Sequence, residues 1–464
     1  MASFIDKAIV FGYLALMILI GFLVSRKEDL EGYYVNNRRT KTLMLLTATI
    51  ATSVGAGTVI VTSSLSYQYG IGIGIAFSVS ILLGWLAVAI FAKKIKAFGD
   101  KTKALTTGDF YAARYSKQTR IAVASITGIV TFLWIAIQFV VVGNMFSVLT
   151  GLNFGIALLI TAGVTIVYVS MGGIRSDFYT DAIQFWIMLL IFIMLIPFGL
   201  SHIGGINALE TLPQSHFNLF AFGGPMFFFA VLLLGIPYLL VAMDTWQRIY
   251  SATDGKTAKK SLILATAINP VFYAAATMIG LIAAVAFKGI NGDIALFKLM
   301  EITLPTGLLG IGMVSVLAVV MSTLDSTIVI LSAIVTKDFY KTLLKPNATS
   351  QEMLRLGRFV SFGGGLVALT IAYLLPNIIQ LAIIGSTFLL IFAPAMLGGF
   401  FWKRATAKAA LLSILVGFGT ALTLIPLLKE QAVLPVVVVS TVVFVAMSYL
   451  TKHSATENVE LMKA

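Results

Sequence analysis

The segment Met321-Ser322-Thr323-Leu324-Asp325-Ser326-Thr327 places Ser322, Asp325 and Ser326 on one face of a helix by the i, i+3, i+4 rule. The residues around it are Val, Leu, Ile and Met, so the Asp325 carboxylate stands in an apolar run, where an ionisable group is costly and points to function. It lies roughly 16 Å along the helix axis from Lys337, at ~1.5 Å per residue. A second carboxylate, Asp181 in Tyr179-Thr180-Asp181, starts another apolar run from the same side. The two could share a cation, although an acid at a helix start is also favoured by the helix dipole alone.

Ser322 and Thr323 could bond back to carbonyls one turn earlier. A further partner is the stretch Ala51-Thr52-Ser53-Val54-Gly55-Ala56-Gly57-Thr58, whose glycines weaken a helix at mid-depth and free its carbonyls. Carbonyls from that break, with hydroxyls and a carbonyl from the helix carrying Ser322, make an all-oxygen cage for a hard cation. Such a cage has no titratable group and therefore suits sodium rather than a proton.

The elements that must hold these groups are membrane helices. With 59% hydrophobic and 11% charged residues, a chain of 464 residues lacks the polar surface to cover a water-soluble globule. About thirteen segments reach the length of ~20 apolar residues needed to cross a bilayer: 6–25, 42–66, 71–98, 120–148, 153–171, 179–201, 223–247, 261–287, 304–336, 358–375, 378–401, 407–427 and 432–450. The first has no small-residue cleavage site before Ser25-Arg26-Lys27 and reads as a retained helix rather than a signal peptide.

The formal charge of +13 is a topology signal. Of the 32 Lys and Arg, all but Lys7, Lys288, Lys298 and Lys429 fall on alternate connections, which puts the N-terminus outside, the C-terminus in the cytoplasm and the chain in the cell membrane as a multi-pass protein. Membrane lipid is the expected surrounding, nucleic acid is not a partner, and no obligatory protein partner is evident. Cysteine is absent, His202, His216 and His453 fall in loops, and no nucleophile motif is present, so an enzyme is not expected. The Gly70-Ile71-Gly72-Ile73-Gly74 run follows no strand and reads as a turn, not a phosphate loop.

Setting the first span aside, the next ten divide into two five-helix units of opposite orientation, 42–201 and 223–401, a pattern of secondary transporters. The first helix of each unit carries a weak point, Ala51–Thr58 in one and Gly235-Ile236-Pro237 in the other. The predicted architecture is all-α: one transmembrane domain over 1–464, a 5+5 inverted-repeat core with unwound helices 1 and 6, a peripheral helix and loop in 1–41, and two peripheral helices with a short tail in 402–464.

Several segments together resemble the sodium:solute symporter family. They are Met321–Ser326, Gly172-Gly173-Ile174 leading to Tyr179–Gln184, Trp246-Gln247-Arg248 with Ala252-Thr253-Asp254, and Gly398-Gly399-Phe400-Phe401-Trp402-Lys403-Arg404-Ala405-Thr406. The resemblance spans roughly 5–450 and implies the leucine-transporter fold. Carried over by position, it implies a main sodium site on the carbonyls of Ala51, Val54 and Val319 and the hydroxyls of Ser322 and Thr323. A second cation site would fall on Asp181, Ser322, Asp325 and Ser326, where Asp325 replaces a small hydroxyl residue and would bind either sodium or a proton. Substrate positions map to Ser53, Thr58, Phe77, Gln138 and Gln380. Sugar carriers of the family place an acid at the position of Phe77 and proline carriers an aspartate at that of Ser53, so neither substrate is favoured.

The expected function is sodium-coupled symport of a small organic solute into the cell by alternating access, with one sodium at the main cage and a second at most. Alternatives are a proton-coupled carrier using Asp325 and Asp181, or a transport-like sensor without flux, against which the lack of room for a signalling module counts. Arg175 and Arg248 are placed at cytoplasmic ends, so the solute is expected to be neutral or singly charged.

Overall fold

In the computed structural model, which describes residues 2–25, 29–169 and 173–453, the chain is almost wholly helical. Helix α1 (Phe4–Ser25) and the short α2 (Leu30–Val35) precede α3 (Thr42–Ser53) and α4 (Thr62–Tyr69), halves of one bent span. Then come α5 (Ile71–Thr102), the short α6 (Thr107–Arg114), α7 (Lys117–Thr150), α8 (Phe154–Val169) and α9 (Ile174–Ile203). After a loop follow α10 (Gly224–Val241), α11 (Met243–Ser251), α12 (Gly255–Ala286) and the short α13 (Gly292–Thr303). Helix α14 (Leu308–Ala333) runs on through a π-helical stretch, Ile334–Leu344, to α15 (Ser350–Leu374), α16 (Ile378–Leu390), α17 (Ala393–Phe401), α18 (Ala407–Leu428) and α19 (Val433–Leu450).

Among the described residues, nine helices are long and apolar enough to cross a membrane, or ten with the bent α3–α4 pair. That reckoning takes 407–450 as one stretch, which the structure divides into α18 and α19 packed on each other. With α1, α8 and that division included, the helices follow the thirteen courses expected from the sequence. Helices satisfy their own backbone groups, the condition a chain of this composition must meet inside hydrocarbon.

Their sequences also set their depth in the protein. The most apolar window of α14 is 94% buried inside the molecule and that of α10 only 28%, so α14 is the central post and α10 faces outward. Around α14 pack α1, α3, α7, α9 and α15, while α5, α10 and α12 form a second group against α3 and α4.

The span α3–α4 bends by 50° where α3 ends at Val54, as Gly55 and Gly57 led the sequence reading to expect. The sixth core helix is also broken, but at Ala242 (φ −68°, ψ 122°) rather than at Gly235-Ile236-Pro237. Gly235 serves close packing instead: a Cβ there would stand 2.1 Å from the Ser80 carbonyl of α5. A further break, at Ile391-Phe392 between α16 and α17, had no counterpart in the expected set. The span expected from residue 179 begins at Ile174, so Asp181 sits two turns inside α9 and not at its start. Gly172 of the quoted motif lies outside the described residues.

At the end of the molecule bearing the basic connections, polar contacts join neighbouring elements. Arg120 Nε donates to Asp338 Oδ1 at 2.8 Å and its Nη1 pairs with Asp109 Oδ1 at 3.2 Å, while Thr106 Oγ1 donates to the same Asp338 oxygen at 3.0 Å. Tyr34 Oη stands 2.9 Å from Ser332 Oγ and 2.8 Å from Thr336 Oγ1, joining α2 to the post.

Candidate functional site: a broken helix against α14

Gly55 brings the broken helix against α14, because a Cβ there would lie 2.1 Å from Thr323 Oγ1; only glycine fits so close an approach. The break frees carbonyls of α3, and hydroxyls of α14 answer them. Ser322 Oγ lies 2.9 Å from the Ala51 carbonyl and 3.1 Å from that of Val319. Thr323 Oγ1 lies 2.9 Å from the Thr52 carbonyl and 3.5 Å from that of Val319. Ala51, Val319, Ser322 and Thr323 of the expected cage are therefore brought together. Val54 is the residue at which α3 stops, its N–H still donating to Ile50 O at 2.8 Å. The donor set is all oxygen and carries no formal charge, which suits sodium.

One turn along, the expected second cation place holds a side chain. Arg248, on α11, is 2% exposed, a correction to the reading that left it at a cytoplasmic end. Its Nη2 pairs with Asp181 Oδ2 at 3.0 Å, donates to Ser326 Oγ at 2.9 Å, contacts Thr52 Oγ1 and lies 3.6 Å from Asp177 Oδ2. Ser326 Oγ donates to Asp177 Oδ2 at 2.8 Å. A guanidinium nitrogen thus sits among the oxygens of Asp181 and Ser326 that would have ligated an ion. Asp325, a position away on α14, is buried within electrostatic reach of Asp181 and of Tyr13 on α1. Ser322 turns its hydroxyl to the main cage, and its carbonyl accepts from Thr52 Oγ1 at 3.2 Å.

Beside the cage lies a cavity of about 350 Å³, mostly apolar in its walls, that runs from loop residues Phe222 and Glu430 down to Thr52 and Asp244. Ser53, Thr58, Phe77 and Gln138 line it as expected. Thr58 Oγ1 donates to the Ser53 carbonyl at 2.7 Å, and Ser53 Oγ donates to Asn269 Oδ1 at 2.8 Å, so the unwound segment is braced from two sides. Gln138 Oε1 accepts from the Ala56 N–H at 3.4 Å.

Gln380 departs from the expectation. It stands exposed in the first turn of α16, and the face of that helix turned to the cavity carries Ile379, Ala382, Ile383 and Ser386. Sequence reasoning also missed Asp177 and Asp244. The spacing of Asp177 and Asp181, one turn apart in an apolar helix, was a signal that a cation must stand between them. Asp244 gave none, because its side of α11 follows from a break whose place the sequence did not reveal.

Comparison with known proteins gives the family and the fold. Residues 33–417 match the description of the Sodium:solute symporter family. The Sodium/proline symporter of Escherichia coli (strain K12) is 26% identical over 370 residues, covering 75% of this chain and 72% of that one. The Sodium/pantothenate symporter of Haemophilus influenzae is 23% identical over 392 residues, covering 79% of each. A solved structure described as the substrate-bound outward-open state of a Na+-coupled sialic acid symporter superposes with a TM-score of 0.83 at 19% identity, covering 98% of this chain and 99% of that one.

Proposed function

The chain belongs to the sodium:solute symporter family, is a sodium-coupled symporter and not an enzyme, and on that premise we propose which groups bind the ion and the solute. Sodium binds between α3 and α14, on the carbonyls of Ala51, Val54 and Val319 and the hydroxyls of Ser322 and Thr323. The observation that carries this reading is the approach of Ser322 and Thr323 to the α3 carbonyls at 2.9 Å across Gly55. Sodium bound there pins the broken helix to the central post. It thereby favours the state in which the cavity opens toward Phe222 and Glu430, and shapes the solute site beside it. By linkage, solute raises sodium affinity by the same factor.

The stoichiometry is one sodium per cycle, because the Arg248 guanidinium supplies the positive charge at the second place. The same pairing speaks against proton coupling through Asp181, whose carboxylate is committed to Arg248. Solute lies against Ser53, Thr58, Phe77 and Gln138, with Ser386 taking the role given by position to Gln380. Relatives carry proline and pantothenate, so a small organic solute fits both the family and the cavity size. The protein sits in the cell membrane with the Phe4 end of α1 outside and the Leu450 end of α19 in the cytoplasm, by the bias of its basic residues. Loops 202–222 and 429–432 then face outside, and uptake is inward.

The test is solute uptake into liposomes with sodium replaced by choline at fixed pH. Loss of uptake supports the reading. Uptake that persists in choline and follows an imposed proton gradient would displace it.

A further inference from the structure

We propose that the transported solute carries an ammonium group, and that Asp244, beside the break in the α10–α11 helix, is the residue that receives it. The proposal rests on the symport reading above and names the substrate class of the same site.

Chain geometry delivers the carboxylate to the cavity. Helix α10 ends at Ala242, whose extended backbone turns the chain so that Ala242, Met243 and Asp244 all line the cavity floor. Asp244 is half-buried where its neighbours Met243 and Thr245 are buried, as expected of a side chain turned toward an internal void. Of the residues lining the cavity, only Asp244 and Glu430 are charged. Glu430 belongs to the short turn Lys429–Ala432 at the mouth, so Asp244 is the only charged side chain at depth.

The next question is whether that charge is already answered from within the protein. Arg248 is one turn further along α11 and near enough to act on Asp244 electrostatically, and the backbone N–H groups of Thr245 and of Asp244 itself donate to the carboxylate without neutralising it. Its guanidinium, however, already stands against Asp181 at 3.0 Å and Asp177 at 3.6 Å. One cation cannot neutralise three carboxylates, and Asp244 enters none of the ion pairs among the described residues. A carboxylate at membrane depth without a resident counter-ion is costly, and a cationic cargo removes that cost in the loaded state.

The walls agree with the floor. Phe77, Trp134, Tyr238 and Tyr273 all face the cavity, and aromatic faces attract an organic ammonium. A carboxylate-only solute finds no lysine or arginine anywhere in the lining and meets Asp244 as a like charge. A zwitterion is accommodated if its ammonium points to Asp244 and its carboxylate toward the hydroxyls and backbone N–H groups of the broken α3–α4 span.

The experiment uses purified full-length protein in detergent or nanodiscs, with binding read as the shift in thermal unfolding midpoint. The probes are sets built on one five-membered ring size that differ in which polar groups they carry, such as proline, pyrrolidine, cyclopentanol and cyclopentanecarboxylate, with open-chain equivalents. In sodium, ammonium-bearing members should bind at least about tenfold more tightly than hydroxyl or carboxylate counterparts, the ratio expected for a hydrogen bond to a charged group. Asp244→Asn should weaken the ammonium members by about ten- to a hundredfold and leave the hydroxyl members within a few-fold, with Asp244→Glu recovering part of the loss.

A carboxylate-only member binding as well as its amine, an ammonium set in which nothing binds, or undiminished amine binding in Asp244→Asn each overturns the proposal. If Asp244→Asn shows no cooperative unfolding, the wild-type series alone decides. Repeating the series without sodium separates the two readings: amine selectivity that survives with no gain from sodium refutes the coupling and not the assignment to Asp244.

Discussion

At the scale of single residues, Ser322 and Thr323 supply the hydroxyls of α14 that meet the Ala51 and Thr52 carbonyls of the broken helix. Ser322→Ala or Thr323→Ala should raise the sodium concentration for half-maximal uptake by about tenfold, the usual worth of one good ligand to a charged group, with membrane insertion unchanged. Sodium titration of uptake checks this, and unaltered sodium affinity in both variants would remove them from the cage.

Arg248 calls for the opposite kind of experiment. Arg248→Met leaves Asp177 and Asp181 facing each other with no cation, which should cost about 3–5 kcal/mol of stability in sodium-free buffer, as breaking a buried pair does. Part of that loss should return as sodium is added, giving a steeper sodium dependence of the unfolding midpoint than wild type. A variant as stable as the parent without sodium would contradict the role given to Arg248. Ser322, Thr323, Asp181 and Ser326 were legible in the sequence because polar groups in an apolar run are conspicuous. Arg248 was misplaced because a flexible side chain reaches several ångströms from its Cα, and sequence position does not say which way.

Helices impose a different test, since what matters there is how closely two backbones approach. Gly55→Ala puts a methyl group 2.1 Å from Thr323 Oγ1, so α3 and α14 must separate. Sodium-dependent uptake should then fall more steeply than in Thr323→Ala, while expression is kept; parity between the two variants would mean that the close approach has no functional weight.

Gly235→Ala, against the Ser80 carbonyl, should instead lower the unfolding midpoint with the sodium dependence intact, since it disturbs the packing of α10 on α5 and no ligand. The sequence put a functional break at Gly235 because glycine and proline look alike whether they open a helix or let it lie close to another. Proline inside α10 and α12 is absorbed without interruption, and neighbouring helices make that tolerable. At the cap of α12, Asp254 accepts from the N–H groups of Lys256 at 2.7 Å and Thr257 at 2.8 Å. The Thr257 bond leads in holding its pKa below the usual carboxylate value, so the cap's contribution is present above about pH 4 and lost as acid protonates it.

For the molecule as a whole, composition sufficed for the helix count, since a bilayer leaves a chain few choices, whereas the family rested on the resemblance of four short motifs. The cavity was only partly legible. Ser53, Thr58, Phe77 and Gln138 were supplied by the family resemblance, position by position, whereas Ser386 and Asp244 depend on how α11 and α16 turn relative to the rest.

The polar cluster at the basic end supplies a prediction at this scale. Arg120, Asp109, Asp338 and Thr106 tie α6 and α7 to the end of the post, and they are expected to part when solute leaves toward the basic connections. Because the chain has no cysteine, a single cysteine placed at Ser116 can report that parting without background labelling. Its modification by a water-soluble maleimide should be slow in sodium and faster in sodium-free buffer, and a rate indifferent to sodium would mean that the ion does not bias that end.

The guanidinium held by Asp177, Asp181 and Ser326 also bears on how far the cell can concentrate its cargo. A cation that is part of the chain performs no work when the carrier turns over, because it crosses no gradient. With the single mobile ion proposed above, the steady-state excess of a neutral or zwitterionic solute inside would be bounded by the first power of the sodium electrochemical ratio rather than its square. Such a carrier would spend little on each molecule and keep running when the membrane is poorly energised.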